Sequence, residues 1–84
     1  MSSDNHQRAA NFVRDAVRLL VDNEDAVSVT VVAGRQNVVL EVVAAASDTG
    51  KVIGKKGIHA DAIRRIIHAY SGKVKTRYII EIVE

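Results

Sequence analysis

The run from Lys51 to Ile66, KVIGKKGIHADAIRRI, constrains this chain more than any other segment. Gly54 and Gly57 lack the Cβ atoms that would hold a bound chain at a distance, and both can adopt a positive φ in a tight turn. The free amides at the start of the following helix, and the positive end of its dipole, favour an anion. Because Lys55 and Lys56 add two cations at the tip of the turn, the run predicts a loop that receives phosphate.

Charge is distributed unevenly along the chain, although the formal net charge is only +2. Residues 1–50 hold four basic and seven acidic side chains, whereas residues 51–84 hold eight basic and three acidic. Basic charge clustered around a candidate phosphate loop is the electrostatic pattern of a nucleic-acid-binding protein. A solvated lysine surface without a partner is the competing explanation, and we give it less weight than nucleic-acid binding.

The length and composition of the chain limit the other possibilities. The 84 residues suffice for one domain, residues 1–84, in which residues 1–4 are expected to form a flexible N-terminus. The absence of cysteine excludes disulfides, thiolate zinc sites and a cysteine nucleophile. No apolar run approaches the roughly 18 residues needed to cross a bilayer, and the first residues resemble neither a signal peptide nor an anchor. We therefore expect a soluble cytoplasmic protein with no membrane partner.

The first half of the chain has the periodicities of one helix and one hairpin. Apolar residues recur at helical spacing over roughly residues 5–22, and Asp4 with Gln7 resembles a capping box. Valines then alternate with polar residues from Val27, and a second β-rich run covers residues 38–44. The turn residues between these two runs predict a β-hairpin.

The second half predicts two helices, with the loop between them, and a last strand. A short helix is expected over about residues 47–53, and a longer helix is expected to end at Ser71-Gly72. A strand follows over about residues 76–83. The order α-β-β-α-α-β predicts an α+β domain with three helices packed on one face of a three-stranded sheet.

Several residues could suggest other chemistry but do not support it. His59 and His68 lie nine residues apart, too far to hold one metal ion from a single helix face, so we expect no metal site. A nucleotide-binding P-loop would need glycine where Lys55 stands. No serine, histidine and aspartate combination suggests catalysis. We therefore expect a protein that is not an enzyme and needs no cofactor.

The segment Gly54-Lys55-Lys56-Gly57, preceded by Val52-Ile53 and followed by Ile58, resembles the GXXG loop of the KH domain family of RNA-binding modules. In that family the loop joins two short helices and clamps the backbone of about four nucleotides. Gly50 matches an upstream glycine of the family, and the whole chain resembles its small stand-alone bacterial members. The element order is that of the type II, prokaryotic KH fold. The resemblance therefore implies a mixed sheet whose second and third strands are parallel.

The resemblance also implies which residues would bind single-stranded RNA. The amides from Gly54 to Gly57, with Lys55 and Lys56, would hold the phosphates. Ile53 and Ile58 would form the floor of a groove for the bases, whereas Ile66, Ile67 and Ile80 are expected in the core. Further basic residues are expected to contact the RNA around this groove: Lys51, Arg64, Arg65, Lys73, Lys75 and Arg77.

Two functions stay open on this evidence. The first is an RNA-binding protein, with RNA-chaperone activity, in bacterial post-transcriptional regulation. The second is an adaptor that assembles with a larger KH-containing RNA-binding protein, with RNA binding secondary; a homodimer is the other assembly expected. On the sheet face away from the helices, an apolar patch suited to such contacts is expected around Glu41 and Glu81: Val39, Val43, Ile79 and Val83.

Overall fold

Three helices and three strands make up the part of the chain that the computed structural model describes, residues 2–84. In chain order they are α1 (Ser2–Arg18), β1 (Ser28–Ala33), β2 (Asn37–Val43), α2 (Thr49–Ile53), α3 (Ile58–Val74) and β3 (Arg77–Ile82). Short 3₁₀ turns precede β1, α2 and α3. This is the predicted order α-β-β-α-α-β. In the described residues, no helix is long and apolar enough to cross a membrane.

The sheet is mixed and has the order β1-β2-β3. β1 and β2 form the predicted antiparallel hairpin, in which Val31 lies opposite Leu40. β2 and β3 are parallel, with Leu40 beside Ile80. The two helices and the loop between β2 and β3 provide the crossover that a parallel pair requires. β3 is therefore an edge strand, and its free edge is directed towards α3.

The core lies between the sheet and the helices, which pack on one face of the sheet. Alternate residues of a strand point to opposite faces, so one face of β2 and β3 supplies the buried side chains. Leu40 is fully buried at the centre of the sheet, with Val13 and Val17 of α1 above it. Ile63 and Ile67 bring α3 onto the same core. The core thus fixes the position of the segment that joins α2 to α3.

The first helix occupies residues earlier in the chain than predicted. It begins at Ser2 and ends at Arg18, instead of spanning residues 5–22. Gln7 donates a hydrogen bond to the side chain of Asn11 at 2.8 Å, so the capping box is wrong. At the other end, the Leu20 N–H donates to the Val17 carbonyl, three residues back, and closes the helix. Met1 lies outside the described residues, and flexibility of residues 1–4 stays a prediction.

Two expectations for α3 are wrong. The helix does not end at Ser71-Gly72; it continues to Val74, where Lys75 adopts the left-handed conformation with φ 56°. The Thr76 N–H then donates to the Ser71 carbonyl and completes the helix end. Ile66, expected in the core, is 55% exposed. The buried stripe uses Ile63 and Ile67, four residues apart, and this places Ile66 to one side of the contact.

Candidate nucleic-acid interface

The segment from Gly54 to Gly57 forms a tight turn between α2 and α3. Three of its four residues have positive φ: Gly54 (78°), Lys56 (58°) and Gly57 (76°). Two hydrogen bonds close the turn, from the Gly57 N–H to the Gly54 carbonyl at 3.0 Å and from the Ile58 N–H to the Lys55 carbonyl. Gly57 is the N-cap residue of α3. Because the first N–H groups of a helix have no partner within it, the turn leads into the amides that follow Ile58, which can bind an anion.

The two glycines of the turn differ in their surroundings. Gly54 has φ 78° and ψ 168°, a combination that is essentially restricted to glycine. A Cβ atom added there would lie 2.7 Å from two atoms of the His59 ring and 2.9 Å from the His59 nitrogen. At Gly57 an added Cβ would meet nothing within 4 Å. Gly54 is thus required by both backbone and space, and Gly57 by backbone alone.

Lys55 and Lys56 are exposed at the tip of the turn. Among residues 4–84, the range for which the structure describes side chains, neither lysine takes part in a salt bridge. Lys55, Lys56 and Gly57 line a shallow cleft together with Ile58, Asp61 and Arg64 of α3. The cleft therefore combines two free ammonium groups with the start of a helix, an arrangement suited to phosphate.

Lys51 is placed differently from the other predicted site residues. Its ammonium pairs with the carboxylate of Asp22 and lies 3.5 Å from a carboxylate oxygen of Asp48. The hydrogen bond to Asp22 raises the pKa of Lys51 above its ordinary value. Asp48, only 2% exposed, also accepts a hydrogen bond from the Asn23 N–H at 3.0 Å. Lys51 thus helps to join the start of α2 to the segment after α1, and it does not line the cleft beside the turn.

A longer groove runs between α3 and the free edge of β3, and Arg64 lines both this groove and the cleft. Four of the predicted basic residues meet here, and Lys73 does not. Phosphates and bases placed along α3 would therefore face a wall of positive charge. The residues that line the groove are Arg64, Arg65, Ile67, His68, Ser71, Gly72, Lys75, Thr76, Arg77, Tyr78, Ile79 and Ile80.

Side chains of α3 contact the backbone at the free edge of β3. The Tyr78 N–H donates to the Ser71 Oγ at 3.2 Å, and the Arg64 guanidinium donates to the Ile80 carbonyl at 3.4 Å. Backbone groups of alternate strand residues point to the same edge, so Ile80 N–H also faces the groove. An unpaired strand edge offers donors and acceptors at fixed spacing. The groove can therefore form hydrogen bonds as well as apolar contacts.

Of the two apolar residues that sequence reasoning selected for the groove, Ile58 lines the cleft, and Ile53 lines neither the cleft nor the groove. Ile58 is 62% exposed beside Lys56, whereas Ile53 is half-buried at the end of α2. Tyr78 is buried and stacks on Tyr70 with ring centroids 6.0 Å apart. Burial raises the pKa of the Tyr78 phenol. Tyr78 also lines the groove, together with the aliphatic residues Ile67, Ile79 and Ile80.

Sequence reasoning missed three residues whose side chains shape this region: Asp48, His59 and Ser71. Asp48 accepts a hydrogen bond from a backbone N–H that precedes β1, and Ser71 accepts one from a backbone N–H of β3. His59 forms a hydrogen bond with a carbonyl of α2. Each contact joins separate elements, so neither motif nor periodicity could have indicated it. In the side chains described, no group of three histidines or carboxylates is arranged to hold a metal ion.

Several proteins named RNA-binding protein KhpA are similar to this chain over most of its length. It is 45% identical over 72 residues to the RNA-binding protein KhpA of Caldanaerobacter subterraneus subsp. tengcongensis, covering 86% of this chain and 96% of that protein. It is 47% identical over 64 residues to the RNA-binding protein KhpA of Clostridium acetobutylicum, covering 76% and 85%. For the RNA-binding protein KhpA of Aquifex aeolicus the identity is 42% over 76 residues, covering 86% and 96%.

The family model described as KhpA/KhpB, KH domain matches residues 10–82. This range contains the turn, both helices beside it and all three strands. No solved structure gives a significant match. The observed mixed sheet and element order are those of the type II KH fold. The chain belongs to the KhpA/KhpB family of KH-domain proteins.

Proposed function

We propose that this chain binds single-stranded RNA and that the turn from Gly54 to Gly57 holds the RNA backbone. The observation that carries the proposal is the exposure of Lys55 and Lys56, free of salt bridges in the described residues, beside the first amides of α3. The relatives named RNA-binding protein KhpA support the class of ligand. KH-domain proteins of this family are binding proteins and not enzymes, which confirms the non-catalytic expectation.

Phosphate binding in this proposal has two components. The lysine ammonium groups supply charge that is attracted to any RNA sequence, and this attraction weakens as salt increases. The amides at the start of α3 supply directed donors and the positive end of the helix dipole. Because Gly54 and Gly57 carry no side chains, the backbone of the RNA can approach these amides closely. The turn fixes where the RNA lies without reading its sequence.

Bases would then lie in the groove between α3 and β3. Ile58 offers an exposed aliphatic surface in the cleft beside the turn, and the edge of β3 offers backbone hydrogen bonds near Ile80. Arg64, Arg65, Lys75 and Arg77 line the same groove and would contact further phosphates. We assign Lys73 and Lys51 no more than long-range attraction, since neither lines the groove or the cleft.

A single groove of this size makes few contacts, so we expect weak affinity and little sequence preference. Such a protein suits a role in bacterial post-transcriptional regulation, with RNA-chaperone activity, in the cytoplasm. A second RNA-binding surface, on a partner or on another copy of the chain, would raise the affinity by increasing the effective concentration of the RNA.

The test is to replace Lys55 and Lys56 together by Asp. Each exchange removes a cation from the phosphate path and adds an anion there, so we expect binding of a short single-stranded RNA to be lost. Both side chains are exposed, so we expect the free energy of unfolding to change by no more than about 0.5 kcal/mol. Fluorescence anisotropy measures binding, and circular dichroism with thermal melting measures folding. Replacement by Ala should be milder, because the amides remain.

A matched control compares single exchanges of equal charge. Arg35 is exposed in the hairpin turn and lines neither the cleft nor the groove. Arg35→Asp should therefore reduce affinity much less than Lys55→Asp or Lys56→Asp. If the folded double-Asp variant binds RNA as tightly as the wild type, the turn is not the binding site.

That result would favour the second function, an adaptor that assembles proteins. The observation behind it is an exposed, mostly apolar surface on the helices, which we name the α1–α3 patch: Phe12 and Ile66, with Arg8, Ala9, Ile67 and Tyr70 around them. Phe12 is 36% exposed and Ile66 is 55% exposed. A second copy of the chain, or a larger KH-containing partner, would cover these side chains while leaving the groove open.

A further inference from the structure

His59, the second residue of α3, connects the two helices across the phosphate-binding turn. Its ring nitrogen Nδ1 lies 2.8 Å from the Lys51 carbonyl oxygen in α2. The same ring forms the wall against which Gly54 packs, since an added Cβ atom there would lie 2.7 Å from its Cγ and Nδ1. His59 is half-buried. One side chain thus contacts the end of α2 and the first residue of the turn.

The hydrogen bond supplies a partner that α2 lacks. The last four carbonyls of a helix have no donor within it, and α2 has only five residues. The Gly54 N–H satisfies the Gly50 carbonyl at 2.8 Å. The next carbonyl, that of Lys51, is satisfied by His59. Because a carbonyl oxygen can only accept, Nδ1 must carry the hydrogen, and this fixes the tautomer of the imidazole.

The turn needs such an anchor because its own restraints are few. It contains two glycines, the residue type with the most backbone freedom to lose on ordering. Two backbone hydrogen bonds close it, from the Gly57 N–H to the Gly54 carbonyl and from the Ile58 N–H to the Lys55 carbonyl. A turn that fluctuated would lose entropy on binding RNA, whereas a turn that is already ordered avoids that loss.

We propose that His59 is a positioning residue for RNA binding. It fastens the end of α2 to the start of α3 and holds the turn in the shape that receives phosphate. The role rests on the proposed function of the turn, and His59 acts through the turn and not by touching the RNA. No other donor among the described side chains reaches the Lys51 carbonyl.

Two substitutions separate the hydrogen bond from the packing. His59→Leu keeps a side chain of similar size without a donor, and His59→Asn places an amide donor near the position of Nδ1. We expect His59→Leu to weaken binding of a short single-stranded RNA by about fivefold, the value of one ordinary hydrogen bond. His59→Asn should stay within about twofold of the wild type. Equal binding by His59→Leu and the wild type, or equal loss in both variants, would overturn the proposal.

A measurement on the wild-type protein does not depend on how the variants fold. The nitrogen-15 chemical shifts of the His59 ring at neutral pH should report the tautomer with hydrogen on Nδ1, as the bond to Lys51 requires. A ring with hydrogen on Nε2 would contradict the proposal. The double-Asp exchange of Lys55 and Lys56 distinguishes the RNA-binding role of the turn from the positioning role of His59. If it removes binding while His59→Leu does not, the turn binds RNA and only the positioning role fails.

Discussion

Glycine is required at Gly54 and at Gly57 for different reasons, so we expect the two positions to differ in how well they tolerate substitution. Alanine at Gly54 would have to adopt φ 78° and ψ 168° and would also collide with the His59 ring. Asparagine at Gly57 would occupy the left-handed region, which it tolerates, in open space. We expect Gly54→Ala to lower the free energy of unfolding by roughly 1–3 kcal/mol or to displace the turn. Gly57→Asn should cost less than about 1 kcal/mol.

Chemical denaturation gives the stabilities, and an anisotropy titration with a short single-stranded RNA shows the consequence for binding. RNA affinity should fall sharply in Gly54→Ala and only slightly in Gly57→Asn. Equal stability and equal affinity of the two variants would mean that the contact with His59 is not a constraint.

Sequence reasoning selected the turn that we propose binds RNA, but it did not predict the different role of the nearby Lys51. Residue type alone selects Gly54, Lys55, Lys56 and Gly57, because glycine backbone freedom and lysine charge are local properties. Lys51 has the same charge as its neighbours, yet its ammonium pairs with Asp22, 29 residues earlier. Such pairing depends on how the chain folds back on itself, and no pattern near Lys51 could indicate it.

At the scale of elements, Asp48 joins the start of α2 to the segment after α1, and the contribution of this contact to stability should depend on pH. The backbone hydrogen bond from Asn23, followed by that from Asp22 and by contact with Lys51, holds the pKa of Asp48 below its ordinary value of 3.8 against the opposing effect of burial. A lowered pKa means that the charged form stabilises the fold above pH 3.8 and that this stabilisation disappears as pH falls through the folded-state pKa.

We therefore expect Asp48→Asn to melt at a lower temperature than the wild type near neutral pH, with the difference shrinking as pH falls below 3.8. Asn can still accept from the Asn23 N–H, so the exchange isolates the charge. Thermal melting of both proteins at a series of pH values measures the effect. A difference in melting temperature that is constant between pH 7 and pH 2 would show that ionisation of Asp48 does not stabilise the fold.

Near the end of α3, the glycine lies three residues before the position where the backbone is left-handed. Gly72 lies inside the helix, and an added Cβ atom would meet nothing within 4 Å. Lys75 occupies the left-handed position that glycine usually fills after a helix. We expect Gly72→Ala and Lys75→Gly each to raise the free energy of unfolding, by about 0.5–1 kcal/mol. Urea denaturation would measure this, and a loss of stability in both would contradict it.

The buried faces of the strands were easier to predict from the sequence than the buried face and the end of α3. Alternation along β2 and β3 separates two faces without ambiguity, and Ile80 is buried as expected, on the same face as Tyr78. A helix instead presents a broad stripe, so Ile66 fits the apolar period as well as Ile67 does. Only the packing of α1 and the sheet against α3 decides between them. The Ser-Gly pair at Ser71 resembles a helix end, and contacts of Val74 with the core outweigh it.

At the scale of the whole molecule, the described residues include two apolar surfaces that could contact another chain, and the charged residues on these two surfaces differ. On the outer sheet face, Val43 and Val83 are exposed, and Val39 and Ile79 are half-buried. At the centre of this face Glu41 lies directly beside Glu81 across β2 and β3. A symmetric dimer uses the same patch on both copies, so this face would bring four carboxylates together. The expected apolar patch therefore does not suit self-association.

The α1–α3 patch has no carboxylate among the residues that line it, and its charged residue, Arg8, lies 5.8 Å from the centre of the Tyr70 ring. Two copies that meet there would bring two guanidinium groups together, fewer like charges than the four carboxylates of the sheet face. We expect the wild-type chain to self-associate through this patch. We expect Ile66→Lys to be monomeric, because the free-energy cost of burying two lysines near the symmetry axis would exceed the stabilisation from apolar contact. Sedimentation velocity over a range of concentrations measures the assembly. The sheet-face variant Val39→Lys, Ile79→Lys serves as the control and should sediment like the wild type. Loss of assembly in the control alone would move the interface to the sheet, and a wild type that stays monomeric at every concentration would remove self-association through either face.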